Sequence, residues 1–427
     1  MQVYPKKVKN AWAFYDWANS VYNLIITTAI FPIYYNSVTA NVNGGKINFF
    51  GYQLSNTAFY EFMMSFAYLT IVSMMPILSG MADYGGKKKQ FMYFFCTLGS
   101  VACVSMYFFT ADTLWVGFFA IVLACMGWSG SVVFYNAYLP EIAALEEQDK
   151  LSAKGYAWGY FGSAILLIIC LIMILNPTKF GISDTGQASR IAFLLTGIWW
   201  FGFAQYTFKH LPKNVYNRKP EGHYLTNGFK ELKKVYLELK HNVKLKAYLK
   251  AFFIYNLGVQ TVMLIASLFG SKELGMEASE LITIILIIQF VAIIGSFGFS
   301  FFAGKIGNIN TLRIATLIWM LVCFAGFFIQ SSTQFYVAAA FIGLVMGGIQ
   351  ALSRSTYSKM LPETQDHASY FSFYDICDKM GVVVGMLLFG IIDQIFESMR
   401  QPILGLFLFF LTGFFLLGRV RKLETKI

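Results

Sequence analysis

Runs of about 20 apolar residues recur along this chain, and a run of that length is stable as a helix crossing a bilayer. Twelve can be placed between residue 11 and residue 419, separated by short polar turns. With 57% of residues hydrophobic and only 13% charged, a water-soluble fold could not cover its own surface. The expectation is an all-α membrane protein of twelve transmembrane helices. The formal charge of +11 does not point to nucleic acid, because the basic residues lie in short loops between the apolar runs rather than on one amphipathic face. With an inward-facing N-terminus, about 27 of the 33 lysines and arginines fall on one side of the membrane, which predicts that both termini are cytoplasmic.

The first apolar run is span-length, follows Lys6, Lys7 and Lys9 and has no small-residue cleavage site, so it reads as a retained span rather than a signal peptide. All six cysteines lie in apolar runs with no CxxC spacing, which predicts packing residues and neither a metal site nor a disulfide framework. No cofactor is implied. The stretch 211–246 is the longest polar segment, and its Lys-rich part has helical periodicity. It divides the chain into a six-helix bundle at 1–210 and another at 247–427, joined by a cytoplasmic linker helix. The halves echo each other. Leu-Pro-Glu at 139–141 returns at 361–363, and the same offset of 222 carries GMADYGGKKK onto AGKIGNIN. Two echoes at one offset predict a duplication, which in transporters puts the binding site between the repeats near the midplane.

Buried charge is the main functional signal, since an ionisable group at mid-membrane costs at least ~2.5–3.5 kcal/mol and marks a pathway or a partner. Asp16 lies inside the first span, and Trp12, Asp16, Asn19, Asn23 and Thr27 follow at steps of three or four, predicting one polar face. Asn19 and Asn23 are expected to point toward the cavity centre. Asp16 is expected in its inner half, as a proton site or as a gate partner for a base such as Arg354. In span eleven Asp375 and Lys379 are four apart, with Asp378 near the same face. Two readings stand for these three: a structural pair neutralising Lys379, or groups that handle substrate or protons. At the inner ends of spans four and ten, Asn136, Glu141, Gln350 and Arg354 form a candidate polar cluster, with Arg354 as a gate or as a snorkelling base. The four histidines are assigned to loops, which leaves proton handling to carboxylates.

The loop Gly80–Lys89 resembles the major facilitator signature G-x-x-x-D-x-x-G-[RK]-[RK] through Asp83, Gly86, Lys87 and Lys88, with Ser79 standing where the first glycine is expected. WAFYDWANSVYN (12–23), VVFYNAYLPEIA (132–143), SAKGYAWGYFGS (152–163) and GGIQALSRSTYSKMLPE (347–363) resemble the vacuole-effluxer-like branch of that superfamily, which contains the autophagy-related fungal transporters and many bacterial relatives. The resemblance spans nearly the whole chain. It implies two pseudo-symmetric six-helix bundles, alternating access, a bacterial plasma membrane location, a gating role for Asp83 with Gly86 and Lys87, and, by the fungal members, amino-acid efflux. Lys379 matches a basic position of the family pattern. Asp375 and Asp378 fall where the pattern carries small residues, so their roles rest on the helix face alone.

The function expected is a monomeric secondary transporter of a small polar solute, with the lipid bilayer and protons as its other partners. No GxxxxGK[ST] stretch points to a primary pump. Two other classes are weighed: a transporter-like sensor that uses the linker as its contact surface, and an intramembrane enzyme built on Asp16 and Asp375.

Overall fold

The computed structural model describes residues 4–40, 44–49, 51–218, 224–395 and 400–424. The chain starts as α1 (Lys6–Val21), widens into a π-helical stretch over Tyr22–Ala29 and continues as α2 (Phe31–Thr39). An antiparallel hairpin of β1 (Lys46–Phe49) and β2 (Tyr52–Ser55), with Lys46 opposite Ser55, leads into α3 (Asn56–Gly85). Next come α4 (Lys88–Ser105), α5 (Leu114–Ala137), the short α6 (Leu139–Ile142), α7 (Leu145–Leu175) and α8 (Thr185–His210). The linker helix α9 (Tyr224–His241) precedes α10 (Val243–Leu274), α11 (Ala278–Ile306) and α12 (Asn308–Phe328). The chain ends with α13 (Ser332–Met360), α14 (His367–Ile395) and α15 (Arg400–Glu424).

Among the described residues, α3, α4, α5, α7, α8, α11, α12, α13 and α15 are each long and apolar enough to cross a membrane. The other three long elements carry polar residues in mid-helix: α1 with its continuation, α10 and α14. The 29 residues of α14 extend roughly 43 Å at 1.5 Å per residue, more than the ~30 Å of a hydrocarbon core. The set is consistent with the twelve expected spans. Large apolar side chains such as Phe119 and Phe415 are 66% exposed, a surface suited to lipid rather than water.

In the first half α1 packs on α7 and α8, and α4 on α5 and α8; in the second, α11 packs on α13 and α10 on α14 and α15. Lipid is as apolar as leucine, so these contacts depend on close fit rather than on the hydrophobic effect. At the α4/α5 crossing a Cβ on Gly127 would lie 2.4 Å from the Cα of Gly99, a backbone approach that only two glycines permit. The halves meet where α7 contacts α11 and α13, and where α14 contacts α3 and α5. The echoing loops are matched by glycines in positive φ. Gly86 closes α3 at φ 61°, and Gly307 closes α11 at φ 85°.

Along the polar positions of span one, Asp16 and Asn19 are buried, Asn23 is exposed and Thr27 half-buried. A π-helical stretch begins at Tyr22, and its wider turn takes the residues beyond Val21 off the 3.6-residue register.

The linker ties the end of α3 to the start of α14. Arg218 donates to the carbonyl of Asp83 (2.9 Å) and to the Asp366 carboxylate (2.7 Å), while Lys234 reaches the same carboxylate (3.1 Å) and Tyr370 donates to Glu238 (2.7 Å). Burial pushes the Asp366 carboxyl up, but Arg218 and Lys234 outweigh it and hold the group below the usual carboxylate range. With its folded value depressed, this carboxylate stabilises the strap fully above the ordinary range and loses that contribution as pH falls. Asp366→Asn should therefore raise the rate of limited proteolysis in the linker near neutral pH, about tenfold for the ~1.5 kcal/mol typical of a hydrogen bond to a charged group.

Candidate functional site: charged contacts between the two halves

Four layers of polar contact join the halves at the face carrying both termini. In the outermost, Asp83 at the end of α3 accepts hydrogen bonds from the backbone N–H of Ala368 (3.2 Å) and Ser369 (2.7 Å) and from the Ser369 hydroxyl (2.8 Å). Those donors are the free N–H groups of the first turn of α14, where the helix dipole also favours an anion. Lys87 of the same loop is exposed, whereas Lys88 is buried and pairs with Glu141. Asp83→Ala orphans two backbone donors and should weaken the contact between α3 and α14 by roughly tenfold, read as faster labelling of a cysteine placed beneath that contact; Asp83→Asn should have a smaller effect.

The second layer joins Glu141 to His367, whose Nδ1 lies 3.1 Å from the carboxylate oxygen that also receives Lys88. His367 is thus no loop residue. It opens α14 and is buried. Across the other interface Asp149 of α7 accepts from Asn308 (2.8 Å) and pairs with Lys359 of α13. This contact places the echoed second-half loop against the start of α7 much as Asp83 is placed against α14.

Deeper lies Arg354 of α13, 2% exposed, with its five N–H donors all engaged. Nε donates to the Ser152 hydroxyl (2.9 Å), and Nη2 to the Ser152 carbonyl (2.9 Å). Nη1 reaches Asn136 (3.3 Å), and both Nη atoms reach one carboxylate oxygen of Asp16 (3.1 and 3.2 Å). Tyr135 donates to that same oxygen (2.8 Å). The guanidinium carbon also lies 4.2 Å from the ring centre of Tyr156, 4.9 Å from Trp12 and 5.3 Å from Tyr135. Gly155 makes room for this arrangement, because a Cβ there would lie 2.4 Å from the Asp16 carboxylate. Next to it Tyr160 of α7 donates to Gln350 of α13 (2.6 Å).

The deepest layer is on α14. Lys379 lies 2.6 Å from Asp378 and 3.5 Å from Asp375, and its ammonium sits 4.5 Å from the ring centre of Trp128 on α5 of the other half. Asn256 (2.8 Å) and Gln260 (3.1 Å) of α10 donate to the second Asp378 oxygen. One oxygen of Asp375 and the amide nitrogen of Asn19 are buried without a hydrogen-bond partner.

The structure brings Asp16, Asn136 and Arg354 together, and separately Asp375, Asp378 and Lys379. Gln350 sits beside the first group. Glu141, expected in the same cluster, belongs instead to the layer of Lys88 and His367. Asp16 and Asp375 are held by different cations, so they do not form the dyad that an aspartate-dependent enzyme would need.

A family model described as vacuole effluxer Atg22 like matches residues 5–425. The chain belongs to the vacuole effluxer Atg22-like family. A relative from Bacillus subtilis (strain 168), described as the uncharacterized MFS-type transporter YxiO, is 31% identical over 417 residues, which cover 97% of this chain and 95% of the relative. Autophagy-related protein 22 of Yarrowia lipolytica is 23% identical over 463 residues, covering 87% of this chain and 77% of its own. Among solved structures, the proton:xylose symporter XylE superposes with a TM-score of 0.75 at 11% identity, over 97% of this chain and 95% of that one. FucP in its outward conformation superposes with a TM-score of 0.67 at 13% identity, over 97% and 98%. This Atg22-like chain therefore has the major facilitator fold and is a multi-pass membrane protein.

Several residues of these contacts are not singled out by the sequence. Tyr156 and Tyr135 lie in the family-like stretches but are two of 25 tyrosines, and Trp128 is one of eight tryptophans. Asp149 and Asn308 read as loop polarity; the 222-residue echo is the one signal that could have drawn attention to Asn308.

Proposed function

We propose that this Atg22-like protein is a secondary transporter that moves a small polar solute, an amino acid or a close relative, by alternating access. It resides in the plasma membrane with both termini cytoplasmic. The observation that carries this reading is the Arg354–Asp16 pair, a buried ion pair whose partners belong to different halves. A buried pair is no more stabilising than well-packed apolar groups, but breaking it is costly, so its natural use is as a two-position latch. When the halves part at this face, Asp16 loses its guanidinium and needs another positive charge. A proton or the solute can supply it, and either couples opening to cargo. The excess of lysine and arginine on this face supports its cytoplasmic side. Asn19 and the Asp375–Asp378–Lys379 group, each with an unpartnered buried polar atom, serve as further contacts along the pathway.

Purified protein in liposomes is expected to carry radiolabelled amino acids, with flux that changes when a pH gradient is imposed. Absence of flux for amino acids, dipeptides and sugars alike would sink the proposal.

A further inference from the structure

The surroundings of Arg354 form a receptor for an organic cation, and nearly all of that receptor belongs to the first half. Trp12 and Asp16 come from α1, Tyr135 and Asn136 from α5, and Ser152, Gly155 and Tyr156 from α7. Trp12 and Tyr135 are held as one wall. Their rings stack at 4.5 Å with 16° between planes, and the Trp12 indole N–H donates to the Tyr135 carbonyl (2.8 Å). Arg354 is the one member supplied by α13. The site is therefore an aromatic cage of two walls, the Trp12–Tyr135 stack and Tyr156, with a carboxylate at its base, a combination that recognises ammonium and guanidinium groups. In this structure it is filled by a side chain of the same protein.

We propose that this cage is the binding site for the cationic group of the transported solute, and that Arg354 occupies it as a surrogate while the face bearing the termini is closed. The inference rests on the transporter reading above and names the substrate class of that site: a solute carrying an ammonium or guanidinium group. Solute and Arg354 then exclude each other. Closure of the gate expels the solute's cation from Asp16, and binding of the solute holds the gate open. The Asp16 carboxylate is thereby compensated in both states.

Binding of agmatine, which carries guanidinium and ammonium groups and no carboxylate, tests the cage, with glutarate as the anionic control. Titrations use the full-length protein in nanodiscs, read by thermal stabilisation and by equilibrium binding. Arg354→Ala empties the cage, so agmatine should bind on the order of tenfold more tightly or better than to the unsubstituted protein, whose competent fraction is small. Arg354→Ala combined with Asp16→Asn should lose that gain, and glutarate should show none of these changes. Should Arg354→Ala not be isolable, the Tyr156 variants keep the ion pair. Tyr156→Phe should retain the agmatine response, and Tyr156→Leu should weaken it on the order of tenfold.

Equal agmatine affinity with and without Arg354, retention in the double variant, or equal responses of Tyr156→Phe and Tyr156→Leu would each overturn the cage. If the same preparation still moves neutral or anionic solutes in liposomes, the cage alone fails and the transporter reading stands. If no solute moves at all, it is that reading which fails.

Discussion

Arg354→Ala should abolish net transport in liposomes and open the face that bears the termini. Removing the guanidinium leaves Asp16, Asn136 and the Ser152 carbonyl without their partner in a site that excludes water. Breaking a buried pair from one side costs ~3–5 kcal/mol, which moves a two-state gate by more than about a hundredfold. A cysteine placed behind the gate should then label at its open-state rate. Arg354→Lys keeps the charge but loses the planar five-donor fork, so it should recover only part of the closed population. Asp16→Asn should resemble Arg354→Ala in direction, because it strands the guanidinium. The two substitutions together should cost less than the sum of the singles. Strict additivity would mean that the contact carries no coupling and that the latch lies elsewhere.

Lys379→Met is expected to have the second large effect. It leaves Asp375 and Asp378 facing each other on one turn of α14 with no cation between them, and it removes the contact with the Trp128 ring. The expected result is a loss of folded yield and a fall in thermal midpoint from a destabilisation of ~3 kcal/mol or more. Adding Asp378→Asn returns the cluster to its original net charge of one negative and should restore most of the yield. The rescue separates charge balance from packing, because a purely steric defect at Lys379 would not respond to it.

The architecture was readable because membrane crossings need long apolar runs, and such runs survive any uncertainty about their ends. The 222-residue echo pairs two loops, and each follows a helix closed by a positive-φ glycine, Gly86 and Gly307, one residue off that offset. Single charges inside apolar runs also stand out in the sequence, which is how Asp16 and Lys379 are found, whereas Arg354 is found through the polar cluster at the inner ends of spans four and ten. What could not be read depends on relations between distant residues. The π-helical stretch has no sequence signature in Tyr22–Ala29, so the change of helical register after Val21 is not legible there. His367 follows a short polar run that reads as a loop; only the docking of α14 against Asp83 and Glu141 makes it a buried helix start. Lys87 and Lys88 are equivalent in sequence, and the turn at Gly86 decides that Lys88 goes inward. The aromatic cage was hidden by abundance, since 18% of the chain is aromatic and most such residues pack or face lipid.

The central claim is that the two halves separate at the face bearing the termini when the Asp16–Arg354 contact is released. It is tested most directly by the distance between spin labels at Gln90 and Glu363, exposed positions on opposite halves of that face. The six native cysteines are first replaced, and the distribution is measured by double electron–electron resonance in nanodiscs. A dominant short distance is predicted for the parent protein, with a second population at longer distance that becomes the major one in Asp16→Asn. A distribution that stays short and unchanged in Asp16→Asn would contradict the account.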